Sequence, residues 1–323
     1  MIHTASLQEI PSTALDRADR TFVFSTPGDL APLEASIREV GMLNPPWVRA
    51  LDGDRFQVVA GGKRLQVVAQ LGWRQATARV LPAGTPEARC LLVYLHDNAY
   101  SRGFNPLEQA LLAVRLQQHW DRQTIIEKFL PCLGLAPSQV LLERLLALAV
   151  LEEPLQQLAA RGRLSLTAAQ SLASWEPQDR RAIVPFLEEL PWSQSKQEEF
   201  LQGLTLLARR DGVSPAAILS REEFRQYLGE EAGTLPAKAA AVRLLLQKLV
   251  YPHFTKVLEG FRTGLQRLGL WHHPRLRLQP PPAFEGPDFH LEIKFRDAGE
   301  LQELLEELDR LARDKIFADL TRL

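Results

Sequence analysis

Gly61-Gly62-Lys63-Arg64 stands between an apolar run, Phe56 to Ala60, and a helix-patterned segment that ends at Leu71-Gly72. A strand that empties into glycines and then meets two cations at the start of a helix gathers three things around one point: backbone N–H groups, the positive end of a helix dipole and side-chain charge. That is the chemistry of a phosphate site. On this segment alone, the same residues also serve as ordinary strand-to-helix turn chemistry, and both readings stand. Elsewhere, His272-His273 beside Trp271 could be tried as metal ligands. Adjacent side chains on an extended segment point apart, however, and Pro274 follows, so neither takes a role. His96 beside Asp97 reads as a hydrogen-bonded structural residue at a strand end. Asp52-Gly53-Asp54 reads as a hairpin turn, and with Asp97 it forms no two-metal nuclease cluster.

The elements that must position the Gly61 turn can be read on either side of it. Upstream, Leu33 to Val40 is helical in pattern, with Leu33, Ile37 and Val40 spaced for one face, and runs into Gly41-Met42-Leu43-Asn44-Pro45-Pro46. Downstream come a short strand around Ala76 to Leu81, an apolar run Leu91 to Leu95, and then His96-Asp97-Asn98-Ala99-Tyr100-Ser101-Arg102-Gly103-Phe104-Asn105-Pro106-Leu107-Glu108. This succession resembles the N-terminal domain of the ParB family of DNA partition proteins. In that family a helix leads to a Gly-Leu-Leu-x-Pro turn, a strand leads to a Gly-Glu-Arg-Arg box, and a Glu-Asn-x-Gln-Arg box precedes Asn-Pro-x-Glu. Gly41, Leu43 and Pro45 match the first element, Gly61 and Arg64 the second with Lys63 as a conservative change, and Asn98, Asn105, Pro106 and Glu108 the third. Further on, Leu133-Gly134, an apolar helix through Leu148, and Gly162-Arg163-Leu164-Ser165 followed by Ala168-Ala169 look like the family's central helix-turn-helix region.

The resemblance implies a pocket for CTP with magnesium whose occupancy closes two N-terminal domains into a clamp on DNA. Gly61, Gly62, Lys63 and Arg64 would sit on the phosphates, Asn98 and Arg102 would close the other side, and Asn44-Pro45 would lie near the base. Asp97 and Asn98 are the residues to which magnesium would fall. The departures lie where turnover would be run: Gly62 replaces the family's glutamate, Tyr100 its glutamine and Ser101 its arginine, while Asp97 stands for a longer glutamate. Loss of a carboxylate beside the phosphates removes a handle on water or metal and also removes repulsion, so the expectation is binding with at most the weak CTPase activity that the resemblance implies, and no catalytic residue is assigned. Sulfiredoxin shares this small α/β fold, but no cysteine stands in either pocket motif here.

The chain has 323 residues, 46% hydrophobic and 24% charged, which fits a cytosolic protein of several domains, and the resemblance implies that it is nucleoid-associated. No segment approaches the roughly 20 apolar residues that cross a bilayer, and the start, with His3, Gln8 and Glu9, is unlike a signal peptide. Cys90 and Cys132 are expected as two buried, reduced thiols. A net charge of -1 means that contact with double-stranded DNA needs locally concentrated cations. The recognition-helix position falls on Pro137 to Leu148, with Ser138, Gln139 and Arg144 as polar contacts, joined by Arg163, Thr167 and Gln170. The rival reading is a helix wrapped by Val140, Leu141, Leu142, Leu145, Leu146 and Leu148 and buried in an all-helical domain.

Past Trp175 the pattern is helical near Asp179 to Leu190, Lys196 to Arg210 and Pro236 to Val250, and Ser220 reads as an N-cap ahead of Glu222-Glu223. After a break at Tyr251-Pro252 comes a helix from Phe254 to Leu268. Leu276 and Leu278, then Phe289, Leu291, Ile293 and Phe295, follow as a strand pair, and Leu301, Leu304, Leu305, Leu308 and Leu311 form a helical stripe. So small a module needs a partner: either a second copy, as the resemblance implies, or the chain's own helices. The fold class is therefore α+β, with a ParB/sulfiredoxin-like domain over 1–102, a helix-turn-helix domain over 103–175, a helical extension over 176–268 and a strand-strand-helix module over 269–323. The function implied is a CTP-gated dimeric DNA clamp in chromosome or plasmid partition, with a partition ATPase as the partner the family would supply. The alternative is a ParB-fold adaptor or transcriptional regulator acting through protein contacts, without turnover.

Overall fold

The computed structural model describes residues 5–25, 28–229 and 233–321. It forms two compact units that divide between Leu201 and Gln202.

The first unit opens with a five-stranded sheet in the order β1-β5-β3-β4-β2, built from β1 (Ser6–Pro11), β2 (Leu15–Asp16), β3 (Trp47–Ala50), β4 (Phe56–Ala60) and β5 (Gln75–Leu81). β3 and β4 form an antiparallel hairpin closed at Asp52-Gly53-Asp54, where Leu51 N–H donates to Arg55 at 2.8 Å and Gly53 and Asp54 adopt φ of 73° and 55°. That is the expected turn chemistry. β3 also runs parallel to β5, which β4 reaches through helix α2 (Gly62–Gln70). Leu65 and Val68 of α2 complete a core with Ile10, Val48, Ala76, Ala78 and Val80. Helix α1 (Ala31–Val40) lies on α2 and buries Ile37, whereas Val40 is exposed, so the expected apolar face of α1 is narrower than its spacing suggests.

Helix α3 (Glu87–Ala99) lies against β3 and β4. His96 and Asp97 therefore sit in the last turn of a helix and not at a strand end. Four- to eight-residue apolar runs fit strand or buried helix equally, and here Pro86 at the cap and Glu87 in the first turn start the helix. Cys90 is fully buried, but Cys132 is partly exposed, so only one of the two thiols is a core residue.

Helices then pack on one another. α4 (Pro106–Leu116) is followed by α5 (Arg122–Thr124), a π segment Ile125–Phe129 and α6 (Leu130–Cys132), then α7 (Gln139–Ala149), α8 (Glu153–Ala160), α9 (Leu166–Ala173) and α10 (Pro177–Glu189). Asp121 caps α5 through Thr124 N–H at 2.9 Å, and Gly134, at φ 79°, makes the turn between α6 and α7. This is the helix-turn-helix, and α7 packs against α4 and α9. The fully buried side chains of α7 are Leu142, Leu145 and Leu148, one stripe. Val140 is exposed and Leu141 and Leu146 only partly covered, so the all-round burial of the rival reading is not what the helix shows.

α11 (Gln194–Asp211) bridges the division between the units. The second unit continues with α12 (Pro215–Leu219), α13 (Glu222–Arg225), α14 (Leu235–Val250) and α15 (Pro252–Arg267). Ser220 does not cap α13: Arg221 occupies that position, and the Ser220 hydroxyl donates back to Ala217 at 2.9 Å, closing α12 instead. Serine can satisfy either helix end, and here the preceding helix takes it. Strands β6 (Leu276–Gln279) and β7 (His290–Ile293) pair antiparallel, followed by α16 (Ala298–Ala312), capped by Asp297, and α17 (Lys315–Leu320). Their core of Leu276, Leu278, Leu304 and Leu320 takes in Phe261 and Leu265 of α15, so the chain's own helix covers one side of the module.

α15 meets α17 closely enough that a Cβ at Gly264 would collide with the buried Leu320, while Gly260, one turn earlier and exposed, has open space. Alanine in a helix normally gains about 0.5–1 kcal/mol over glycine. Gly260→Ala is expected to follow that rule in urea unfolding. Gly264→Ala is expected to lose about 1–3 kcal/mol through overpacking, and a gain at both positions would contradict the α15–α17 contact.

Candidate functional site

Gly61 is the cap of α2 and adopts φ 84°, a left-handed conformation that turns β4 into the helix. No side chain caps the first turn of α2, and that turn contains no acidic residue. Gly62 and Lys63 are exposed, and Lys63 has no hydrogen bond or ion pair among the described residues. The first-turn N–H groups and the helix dipole thus favour an anion at this end of α2, and Lys63 adds an exposed ammonium to the same turn.

Arg64 turns inward. Its Nη1 donates to the backbone carbonyl of Asn44 and its Nη2 lies 3.0 Å from Oδ2 of Asp97. One guanidinium therefore ties the turn before β3, the start of α2 and the end of α3, bringing together Asn44, the Gly61–Arg64 turn and Asp97. Asn44 takes part through its backbone rather than its side chain, and Pro45 and Pro46 hold that turn extended into β3.

Asn98 and Arg102 form a second cluster. The Asn98 amide donates to Tyr94 O at 2.8 Å, and its Oδ1 accepts from Arg102 Nε at 3.0 Å. Arg102 Nη1 reaches both oxygens of Glu108, at 3.1 and 2.9 Å, and its guanidinium lies over the Phe104 ring, 5.4 Å from the centroid. Glu108 is 2% exposed and also closes a reciprocal cap with Asn105: Glu108 N–H donates to Asn105 Oδ1 at 2.9 Å, and Asn105 N–H to Glu108 Oε2 at 3.1 Å. Burial works against the Arg102 charge, yet the hydrogen bond and charge of Glu108 outweigh it and raise its pKa. Tyr94, against Phe24 and Phe104, has its phenol pushed up to about 12 by burial. Arg102 is thus committed to the α3–α4 turn. Glu108 and Tyr94 carry roles that the sequence pattern left unassigned, although an Asn-Pro-x-Glu helix start signals the first of them.

For a divalent metal, Asp97 is engaged by Arg64, and Asn98 Oδ1 by Arg102. Among the described residues no three His, Cys, Asp or Glu side chains gather as a metal cluster. At the other end of α2, a cleft of about 480 Å³ is lined by Ser12, Arg17, Trp73 and Arg74. Its arginines face the negative end of the helix dipole, so the N-terminal end is the better anion site.

In the helical region, Ser138 caps α7 and Gln139 donates to Glu143 at 2.9 Å. Arg144 Nε meets Gln170 Oε1 at 3.3 Å across α7 and α9, so these two predicted DNA contacts share one surface. Arg163 instead donates to Leu190 O at 3.3 Å, and Thr167 O accepts from Ser171 at 3.2 Å. The turn from Gly162 to Ser165 is held by Gln197, a 3% exposed amide that donates to Arg163 O at 2.7 Å and accepts from Ser165 N–H at 3.0 Å. No local pattern marks Gln197, because its partners lie more than thirty residues away.

Residues 1–99 match the model of the ParB N-terminal domain. A probable chromosome-partitioning protein ParB from Pseudomonas putida is 28% identical over 148 residues, covering 45% of this chain and 48% of that protein. Residues 1–99 are thus a ParB N-terminal domain. A probable plasmid-partitioning ParB from Thermus thermophilus is 41% identical over 83 residues, covering 26% of this chain and 27% of the Thermus protein. The matches thus span about half or less of these relatives' lengths. A C-terminally truncated ParB from Caulobacter crescentus, in a crystal structure complexed with CTP-gamma-S, aligns over 57% of this chain and 99% of its own at 22% identity, with a TM-score of 0.27. No helix among the described residues is long and apolar enough to cross a membrane.

Gly61→Ala is expected to cost about 1–2 kcal/mol, because an L side chain resists the left-handed cap and would strike the Arg64 guanidinium. Gly62→Ala, whose added Cβ meets only Val58 at 3.8 Å, is expected to stay within about 0.5 kcal/mol of the parent in denaturant titration. The second prediction concerns Glu152, where hydrogen bonds from Arg180 (2.8 Å) hold the carboxyl below the usual range. A depressed carboxylate contributes stability above its ordinary pKa, near about 4.3, and loses it as pH falls further. Glu152→Gln is therefore expected to flatten the acid limb of the thermal-midpoint profile, and an unchanged limb would contradict the pairing.

Proposed function

We propose that this protein is a DNA-binding partition protein whose N-terminal domain takes a nucleotide triphosphate at the start of α2, with CTP as the nucleotide that the sequence resemblance implies. The observation that carries the reading is the convergence of the motifs. Arg64 of the glycine box joins Asn44 of the Gly-x-Leu-x-Pro turn to Asp97 beside Asn98, around first-turn N–H groups that no side chain caps. Lys63 and the N–H groups of α2 receive the phosphates, Asn44-Pro45 borders the base, and Asn98 and Arg102 brace the α3–α4 turn beside it. Magnesium is commonly held by one or two carboxylates together with ligand phosphates, and Asp97 fits that role once a phosphate takes its place at Arg64. When bound, the metal would neutralise phosphate charge.

Gly62 favours binding over hydrolysis. Its backbone is not in the left-handed region and a side chain would fit, so the missing carboxylate is a chemical difference and not a steric necessity. DNA is taken on the surface shared by Arg144, Gln170 and the start of α7, where Ser138 and Gln139 lie, with Arg163 and Thr167 near the adjoining turn. A homodimer forms through the C-terminal module, whose Leu291, Phe295 and Leu305 are 40%, 51% and 50% exposed although α15 covers its other side. Closure of paired N-terminal domains on DNA, and a partition ATPase as partner, complete the reading.

Arg64→Ala is expected to abolish binding of CTP with magnesium in calorimetry, with a thermal midpoint lowered by loss of the bridge and circular dichroism showing that the chain still folds. Unchanged affinity would contradict the site assignment.

A further inference from the structure

The Arg64 guanidinium is already held by a carboxylate of its own chain, Asp97, at 3.0 Å, with the two side chains 20% and 22% exposed. That degree of cover lies between an exposed pair, which water dissolves, and a sealed one, which does not open. A carboxylate on a guanidinium uses the donor geometry that a phosphate uses, so an Asp97 oxygen occupies a ligand oxygen's place. The rest of the turn is free: Lys63 has no partner among the described residues, and the first turn of α2 has no side-chain cap.

We propose that Asp97 is a built-in competitor for the anion site. Ligand phosphate reaches Arg64 only in the fraction of molecules in which Asp97 has let go, so the pair sets an affinity threshold. A single phosphate that merely replaces the carboxylate gains little from the exchange. A polyphosphate that also engages Lys63 and the N–H groups of α2 passes the threshold. This inference rests on the anion-site reading above and adds what regulates it. An apparent dissociation constant equals the intrinsic one divided by the competent fraction. Removing the competitor therefore tightens every ligand that uses Arg64 by one common factor, whatever its charge. A plain change in local charge would instead tighten the more highly charged anion more.

The test is calorimetry in metal-depleted buffer with inorganic pyrophosphate and tripolyphosphate, on the full chain, Asp97→Asn and Asp97→Ala, with circular dichroism to confirm folding. Glu34→Gln removes the same charge from α1, where Glu34 pairs with Arg38, and serves as the control. Both Asp97 variants are expected to tighten both anions by the same factor, about three- to tenfold, and the control to change neither by more than about twofold. If the parent binds but the variants gain nothing, bind more weakly, or gain in proportion to ligand charge, the competitor role is overturned and the anion site stands. If parent and variants bind neither anion, both readings are overturned.

Discussion

The contact on which the N-terminal domain depends is the bridge from Arg64 to the Asn44 carbonyl and the Asp97 carboxylate. It exists because Gly61 can take a left-handed cap: only then does β4 enter α2 with residue 64 aimed back toward the start of β3 and the end of α3. A guanidinium has five N–H donors in a rigid fork, so it can hold a backbone carbonyl and a carboxylate at once, which a lysine ammonium could not do with the same geometry. Lys63 and Arg64 are consequently not equivalent cations. One is an exposed point charge beside uncapped N–H groups, and the other is a structural clasp between three segments of the chain.

Arg102 shows the same economy at the next turn. Its pairing with the buried Glu108 lets one carboxylate neutralise a cation and cap α4 together, so the end of α3 and the start of α4 are fixed by a single ionic cluster. A buried carboxylate deprived of its cation is costly, which makes Arg102 a residue of the turn before it is a residue of any ligand. The two clusters sit on neighbouring residues of α3, Asp97 and Asn98, and in this way the Gly61 turn and the route into the helical region share one helix end.

The elements around the Gly61 turn were legible in the sequence because their signals are local: Gly41 and Gly61 at turns and Asp52-Gly53-Asp54 at a hairpin, as was Ser165 at a helix start further on. What was not legible involved choices between equally good local options. Leu91 to Leu95 fits strand or helix, Ser220 fits either neighbouring helix, and the exposure of Cys132 depends on what packs beside α6. Long-range polar pairing was also hidden: the capture of Arg102 by Glu108 looks in sequence like a free arginine six residues from a capping acid, and Gln197 gives no hint that it secures the turn at Arg163. In the C-terminal module the alternation of Leu276, Leu278, Leu291 and Ile293 was plain, while the contribution of Phe261 and Leu265 depends on a helix preceding the strands.

The central claim is that the start of α2 receives the phosphates of a cytosine nucleotide. Its most direct test is calorimetric titration of the purified chain, with magnesium, by each of the four ribonucleoside triphosphates in turn. The account predicts saturable binding of CTP and little or none of ATP, GTP or UTP, whereas silence with all four, or binding confined to a purine, would contradict it.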